Sequence, residues 1–346
     1  MKMIYVIIFL TTFYSYLVIG APFSTIYGPL TDDFTSWLNS NGYETFQFNR
    51  PDLGSHASYG GKRDPSDVIQ NKPVIFIHGN SDGALAIPGN YSSGWSYSIQ
   101  YFLEKGYRTS EMYATTWGDR NPENAKYRVH NCEYLLYVRN FMNAVLEYTN
   151  ADKINVISHS MGVTMARKAV KGGIHYDRDG SSCDLGDPLT KRIDTFLGIS
   201  GANYGMCSCQ GNASNIDPTC NSENGFWPGD ACGANKLTCW DQPQPTECNT
   251  PIYSKFLTNL NENSAEEAAL IFSMWSMADD ILANSCLVYD YPTPHIPNSH
   301  CVKIYFDLTH MQTKENTVKD QYRIITDASF RSLEYCSRSL NIKKRL

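Results

Sequence analysis

The sequence has little charge, and most of that charge is negative. Charged residues make up 18% of the 346 positions, with 29 lysines and arginines against 35 acidic residues, so the formal charge is −6. An acidic chain lacks the positive field that a nucleic-acid-binding surface or a polybasic membrane surface needs. Hydrophobic residues at 42%, with 24 glycines and 16 prolines, also exclude a disordered, collagen-like or coiled-coil protein.

Long hydrophobic runs are scarce as well, and the single candidate lies at the start of the chain. One lysine precedes an apolar run over residues 4–19, and small residues follow at Gly20 and Ala21. This pattern predicts a signal peptide over residues 1–20 and hence a secreted, extracellular protein. The alternative is an uncleaved anchor, although the run is short and contains polar side chains. We expect no transmembrane segment in the mature chain.

Cysteine, in contrast, is abundant. The 11 cysteines are many for a cytosolic chain and usual for a secreted one, and an odd number leaves at least one without a partner within the chain. Residues 203–250 hold six of them among too few apolar residues for a separate core. We predict a disulfide-rich cap, with Phe226, Trp227 and Trp240 as its candidate contact residues. The alternatives are a rigid insertion that has no role in binding and a zinc site.

The other five cysteines are harder to assign. Cys286 and Cys301 flank the loop 287–300, and we predict a disulfide between them. Cys132, Cys183 and Cys336 remain, which leaves one of these three unpaired. Secretion also makes Asn90 and Asn212, each in an N-x-S sequon, candidate glycosylation sites.

Apolar strand-like segments alternate with helical patterns from residue 71 onward. Strands are expected at 73–77, 110–115, 154–157, 193–199, 269–275 and 301–306, and the last helix at 316–335. This alternation predicts an α/β fold with a mostly parallel sheet of about six strands and helices on both faces. Residues 21–70 are predicted to be an N-terminal extension, and residues 71–346 the main domain. Functional residues should follow the carboxyl ends of the strands.

A serine lies where a nucleophile is expected. The strand at 154–157 leads into Ser158-His159-Ser160-Met161-Gly162 and then into a helix. This is the G-x-S-x-G strand–turn–helix pattern, with Ser158 in place of the first glycine. A serine that merely caps a helix is the alternative. The context favours Ser160 as a nucleophile.

Backbone groups near this serine are candidates for stabilising an oxyanion. The first long strand ends in His78-Gly79-Asn80, about 80 residues before Ser160. We predict that the backbone N–H groups of Asn80 and Met161 form the oxyanion hole. His78 is interpreted as a structural histidine.

The acid and the base of a triad should follow the nucleophile in that order. Asp279 lies just after the strand at 269–275, and His310 follows the last strand. We predict that His310 is the base and Asp279 the acid. Asp280 is the rival acid, and Asp307 is a weaker one.

Together these motifs resemble the class 2 lipase family of secreted α/β-hydrolases, and residues 78–84 resemble its nematode branch. The resemblance covers roughly residues 73–330, and it implies that the main domain over residues 71–346 is an α/β-hydrolase catalytic domain that hydrolyses acylglycerols or related esters. It also assigns the family's triad to Ser160, Asp279 and His310. The segments that carry it are Pro73–Gly79, Asn155–Gly162, Gly198–Asn203, Ser276–Asp279 and Thr309-His310.

The function predicted is therefore a serine hydrolase that cleaves carboxylic esters of lipids, with triacylglycerol as the first candidate substrate. No cofactor and no metal are expected. The expected partner is a lipid ester at a lipid–water interface, with no nucleic acid. The alternatives are a carboxylesterase or phospholipase, and a catalytically silent lipid-binding protein of the same fold. The predicted cap would lie over Ser160, with Phe226, Trp227 and Trp240 touching lipid or substrate.

Overall fold

The structure is a computed structural model that describes residues 26–89, 91–232, 250–282 and 286–327. The predicted signal peptide lies outside the described residues, as do Asn90, Trp240, Cys239, Cys248 and Cys336. The strands in the described part are β1 (Ser58–Tyr59), β2 (Val74–Ile77), β3 (Met112–Thr115), β4 (Ile154–His159), β5 (Ile174–Tyr176), β6 (Ser182–Asp184), β7 (Ile193–Ile199), β8 (Leu270–Ser276), β9 (Leu287–Val288), β10 (Tyr291–Pro292) and β11 (Cys301–Tyr305).

Helices lie between several of these strands, and others precede or follow them. They are α1 (Asp32–Ser40), α2 (Ser96–Glu104), α3 (Cys132–Thr149), α4 (Met161–Lys171), α5 (Ala213–Ile216), α6 (Lys255–Glu262), α7 (His310–Glu315) and α8 (Val318–Thr326). The helix predicted at 316–335 corresponds to α8, which begins at Val318; α7 lies before the predicted range and was not expected. Of the predicted helix, only residues up to 327 lie in the described part of the chain.

The main sheet has seven strands in the order β1-β3-β2-β4-β7-β8-β11. All neighbours are parallel except β1, which pairs antiparallel with β3 at the edge. The predicted mostly parallel α/β fold is confirmed, with one strand more than the six expected. That strand is Ser58–Tyr59, a two-residue element too short to produce a readable periodicity.

Both faces of the sheet are covered, as its apolar strands require. Along β2, Ile75 and Ile77 join the core on the side of α1, α3 and α4. Val74 and Phe76 join the core on the side of α2 and α8. A strand buried on both faces has to be apolar at every position, which explains the continuous run Val-Ile-Phe-Ile.

Residues 26–70 pack closely on this core. Phe34 of α1 is fully buried and contacts the rings of Tyr113 and Tyr148. The N-cap Thr31 accepts a hydrogen bond from the Phe34 N–H, which helps to begin α1. This segment therefore contributes both an edge strand and core side chains.

The disulfides differ from the prediction in one respect. Cys286 is a buried free thiol whose Sγ contacts the carbonyl oxygen of Ser276 at 3.3 Å, and Cys301 is bonded to another cysteine. The predicted Cys286–Cys301 bond is wrong because flanking one loop does not bring two side chains together. Cys132, to which the sequence assigns no partner, is bonded to Cys183. Two further bonds, Cys207–Cys232 and Cys209–Cys220, join parts of the cysteine-rich insertion.

Candidate active site

Ser160 occupies a sharp turn between β4 and α4. Its backbone has φ 55° and ψ −131°, a conformation that costs energy for a residue with a side chain. The N–H of Ser160 donates to the carbonyl oxygen of Ile199 at 2.9 Å, which holds the turn against the end of β7. The first residue of α4 follows at once, so the positive end of the helix lies beside the serine.

Two glycines allow this turn to pack. A Cβ on Gly162 would lie 2.3 Å from the carbonyl oxygen of His78, so no side chain fits there. A Cβ on Gly79 would lie 2.7 Å from the Cβ of Ser160. The loop after β2 therefore approaches the serine turn directly, as the strand–turn–helix pattern requires. Ser158 fits in place of the pattern's first glycine, buried with its hydroxyl 3.3 Å from the Leu197 carbonyl oxygen.

His310 and Asp279 form a buried pair. The Nδ1 of His310 lies 2.8 Å from Oδ2 and 3.0 Å from Oδ1 of Asp279. Oδ1 also accepts the backbone N–H groups of Ile281 and Leu282 at 3.0 and 2.9 Å. Burial alone would raise the pKa of Asp279, but these hydrogen bonds, with His310 foremost, hold that pKa below its usual value. The carboxylate is therefore ionised and fixes the orientation of the imidazole.

The rival acids occupy other positions. Asp280 Oδ1 accepts the backbone N–H of His310 at 2.8 Å, so it contacts the main chain rather than the ring. Asp307 is exposed. Of the three candidates, Asp279 is the one that reaches the imidazole.

Ser160 and His310 line one cavity of about 300 Å³, together with Asn80. The Nε2 of His310 is buried and has no hydrogen-bond partner among the described residues. His159 Nδ1 is likewise buried without a described partner, so what distinguishes His310 is a partnerless Nε2 on a ring whose Nδ1 is paired with a carboxylate. This arrangement suits a base whose partner is a reacting group.

The predicted oxyanion donors lie on the loop and the helix that flank Ser160. Asn80 lines the cavity, and its side chain is held by Arg128 at 2.7 Å and by the Ala125 carbonyl oxygen at 2.9 Å. Met161 is the first residue of α4, where a backbone N–H has no acceptor within the helix. Both backbone groups therefore lie on segments with fixed positions next to the serine.

Two other histidines near the site have structural partners. His78 stacks on Trp117, accepts the Trp117 backbone N–H at 3.0 Å, and burial lowers its pKa to about 3. The ring of His159 lies 4.6 Å from that of His310, and its Nε2 is 3.2 Å from the His310 carbonyl oxygen. Burial and then the neighbouring His310 lower the pKa of His159. Both rings are therefore neutral, and their contacts help to hold the loops of the site in place.

One connection near the site joins two elements that are far apart in sequence. Lys314, on the helix that begins at His310, forms a buried ion pair with Asp82, on the loop that carries Asn80. The two residues are 232 positions apart, and nothing in the local sequence of either one signals the other. Only the folded chain brings them together.

The described part of the cysteine-rich insertion, residues 203–232, contributes nothing to the lining of the cavity. Pro122 and Ala125 form part of the wall instead. Phe226 is buried and packs against His130, so it is not available to touch lipid. Trp227 is partly buried. Residues 233–249, which include Trp240, lie outside the described residues, and the cap stays a prediction.

Neither a metal site nor a membrane span is found in the described ranges. No group of three or more His, Cys, Asp or Glu side chains could hold a metal ion there. Within the same ranges, every helix is too short or too polar to cross a bilayer.

The family model for class 2 lipases matches residues 71–323, and the chain belongs to this family. Its fold is the α/β-hydrolase fold, as the sheet order and the serine turn already indicate. Family membership supports a carboxylic ester hydrolase; the nematode branch stays a prediction. No curated protein matches the chain.

Several solved structures are similar to this chain at low identity. Lipase B of Aspergillus fumigatus is 13% identical, with 72% of this chain and 48% of that chain covered and a TM-score of 0.41. The chain thus spans about half the length of that lipase. A Paleococcus ferrophilus monoacylglycerol lipase is 12% identical, with 78% and 98% covered and a TM-score of 0.40. A Pyrococcus furiosus esterase is 15% identical, with 73% and 80% covered and a TM-score of 0.40.

Proposed function

We propose that the protein is a secreted serine hydrolase that cleaves carboxylic esters of lipids through Ser160, His310 and Asp279. The observation that carries this proposal is the arrangement of His310. Its Nδ1 is 2.8 Å from the Asp279 carboxylate, while its Nε2, without a described partner, borders the cavity that Ser160 also lines. This is the division of roles that a triad base needs.

In the proposed reaction, His310 Nε2 takes the hydroxyl proton of Ser160 as Oγ bonds to the ester carbonyl carbon. The backbone N–H groups of Asn80 and Met161 donate to the resulting oxyanion. The bond to the alcohol then breaks, and His310 returns its proton to the alcohol oxygen. Water repeats the sequence on the acyl-enzyme and releases the carboxylic acid with Ser160 free. Asp279 stabilises the imidazolium in both halves.

Secretion is part of the proposal. The disulfides Cys132–Cys183, Cys207–Cys232 and Cys209–Cys220, together with the bonded Cys301, favour an oxidising compartment. The N-terminal sequence favours a signal peptide over residues 1–20. Asn212 is exposed, which is what glycosylation of its sequon requires.

The proposal is tested with the disulfide-bonded protein and a Ser160→Ala variant on emulsified long-chain acylglycerols and on dissolved short-chain esters. We expect the variant to lose a factor of at least about 10³ in rate. Ser182→Ala, at an exposed serine on β6, is the matched control and should keep full activity.

The substrate panel separates the alternatives. Cleavage of emulsified long-chain acylglycerol supports a lipase, whereas activity confined to dissolved short esters indicates a carboxylesterase. A folded protein that cleaves no ester, or a Ser160→Ala variant as active as the wild type, contradicts the proposed mechanism.

A further inference from the structure

A second cavity, of about 410 Å³, lies beside the cavity that contains Ser160 and His310. Tyr91 and Met311 line both, so the two spaces share a wall. We name the second space the tyrosine cavity, because Tyr91 and Tyr97, residues that are 44% and 41% exposed, line it. Its volume is within the range of about 300–1,000 Å³ typical of small-molecule sites.

The tyrosine cavity is on the His310 side of the site. Thr309, Met311 and Glu315, which flank His310 in sequence, line it. So does Asp280, whose carboxylate accepts the His310 backbone N–H at 2.8 Å. In ester cleavage the histidine has to protonate the departing alcohol oxygen, which must therefore lie within hydrogen-bond reach of the ring. The space next to His310 is where the alcohol part of an ester belongs.

The charge of this cavity is negative. Asp280 and Glu315 line it, and no lysine, arginine or histidine does so among the described residues. The nearest basic residue along α7, Lys314, is buried and paired with Asp82. Carboxylates together with aromatic faces are the groups that recognise an organic cation, and above all a quaternary ammonium. A phosphate or a free carboxylate would instead be repelled by both acids.

We propose that the tyrosine cavity binds the alcohol part of the substrate and selects alcohols that carry a positive charge, such as amino alcohols and quaternary ammonium alcohols. This inference rests on the proposed function, and it adds the class of leaving group. Tyr91 and Tyr97 contact the cation, and Asp280 and Glu315 supply the opposite charge. Uncharged alcohols are accepted less well, and anionic alcohols least.

The test compares two esters of the same short acid, the choline ester and the 3,3-dimethylbutyl ester. The two alcohols have the same shape, because a carbon atom replaces the charged nitrogen. We expect kcat/KM to be about tenfold higher for the choline ester, as a cation–π contact and a screened carboxylate predict. This preference should decrease as salt is added.

Variants connect the preference to the cavity. Glu315→Gln keeps the size of the side chain and removes its charge. We expect the ratio of kcat/KM for the choline ester to kcat/KM for the 3,3-dimethylbutyl ester to fall to about threefold. Tyr97→Leu should also lower it. Glu104→Gln is the matched control, because Glu104 is exposed at the other end of the helix that begins beside Tyr97 and does not line the cavity. Its ratio should equal that of the wild type.

A wild-type ratio of one or less overturns the inference and leaves ester hydrolysis intact, since the neutral ester is still cleaved. A preference that survives both Glu315→Gln and Tyr97→Leu overturns the assignment to this cavity. If the folded protein cleaves neither ester nor any other, the proposed function fails. The inference is then tested by binding. Saturation-transfer NMR should show contact of the protein with choline but not with 3,3-dimethylbutanol, and the choline signal should be weaker for Glu315→Gln. No choline signal overturns it.

Discussion

Lys314 and Asp82 form an ion pair whose side chains are 1% and 2% exposed. It joins the helix that begins at His310 to the loop that carries Asn80. The other oxygen of Asp82 accepts the Gly94 N–H at 2.8 Å, and Lys314 Nζ also lies 5.6 Å from the ring of Trp95. Burial would raise the pKa of Asp82, but Lys314 holds it below the usual value. The position of the proposed base relative to the proposed oxyanion donor therefore depends on a buried charge pair.

Removing one member of this pair should be costly. Lys314→Met leaves the Asp82 carboxylate buried without its cation, and we expect the free energy of unfolding to fall by about 3–5 kcal/mol. In the double variant Asp82→Asn/Lys314→Met, a neutral amide still accepts the Gly94 N–H, so part of the loss should be recovered. Urea denaturation followed by tryptophan fluorescence measures both.

Lys319→Met is the matched control for that experiment. Lys319 is exposed on α8, five residues after Lys314, and its replacement should change the unfolding free energy by less than about 0.5 kcal/mol. A double variant as unstable as Lys314→Met alone would show that lost packing, rather than the unpaired charge, causes the effect.

Features of the fold that depend only on neighbouring residues could be predicted from the sequence. The turn at Ser160 could be predicted because all its requirements lie within a few residues: an apolar strand, the serine, Gly162 and an apolar helix. The parallel strands could also be predicted, because a strand that is buried on both faces has a continuous run of apolar residues. The pairing of Asp279 with His310 followed from the order of elements along the chain.

What could not be predicted depends on distances across the fold. The Cys286–Cys301 bond was inferred from a short sequence separation, which does not fix the direction of a side chain. Strand β1 is only two residues long and is defined by its partner β3. The pair of Lys314 with Asp82 needs the whole sheet to bring its members together. Local sequence patterns therefore predict the serine turn and the parallel strands. The disulfide partners, strand β1 and the Lys314–Asp82 pair depend on tertiary packing.

Asp279 and Asp280 offer a matched pair of substitutions. Asp279→Asn should lower kcat by about 10³-fold or more, because an amide neither orients the neutral imidazole correctly nor stabilises its charged form. Asp280→Asn should cost far less, since an asparagine oxygen can still accept the His310 backbone N–H. Steady-state kinetics on one neutral ester measures both. Equal losses would contradict the assignment of the acid, and a larger loss for Asp280→Asn would reverse it.

Stability should fall as the solution becomes acidic, in part because of His130. This histidine is fully buried, stacks on Phe256 at 3.9 Å, and burial lowers its pKa to about 3. The unfolded chain, with a histidine pKa near 6.5, binds the proton first. The contribution of neutral His130 is thus complete above about pH 6.5 and is lost as the pH falls towards 3, by about 1.4 kcal/mol per unit.

His130→Gln isolates this effect. Urea denaturation of both proteins between pH 7 and pH 5 gives unfolding free energy against pH, and the variant's mean slope over this range should be smaller by about 1 kcal/mol per unit. The variant is expected to be less stable at every pH, because it loses the ring stacked on Phe256, so the slope is the informative quantity. Identical slopes would show that His130 is not buried in its neutral form.

Cys286 should be unreactive in the native protein and reactive once it unfolds. It is buried, and burial first and the nearby Asp279 second raise the pKa of its thiol to about 12, so hardly any thiolate forms at neutral pH. Iodoacetamide should therefore leave it unmodified under native conditions and alkylate it in urea without reductant. Cys132, Cys183, Cys207 and Cys232 should stay unmodified in both conditions, and each should appear in a disulfide-linked peptide by mass spectrometry. A Cys286–Cys301 linked peptide would contradict the structure and restore the pairing inferred from the sequence.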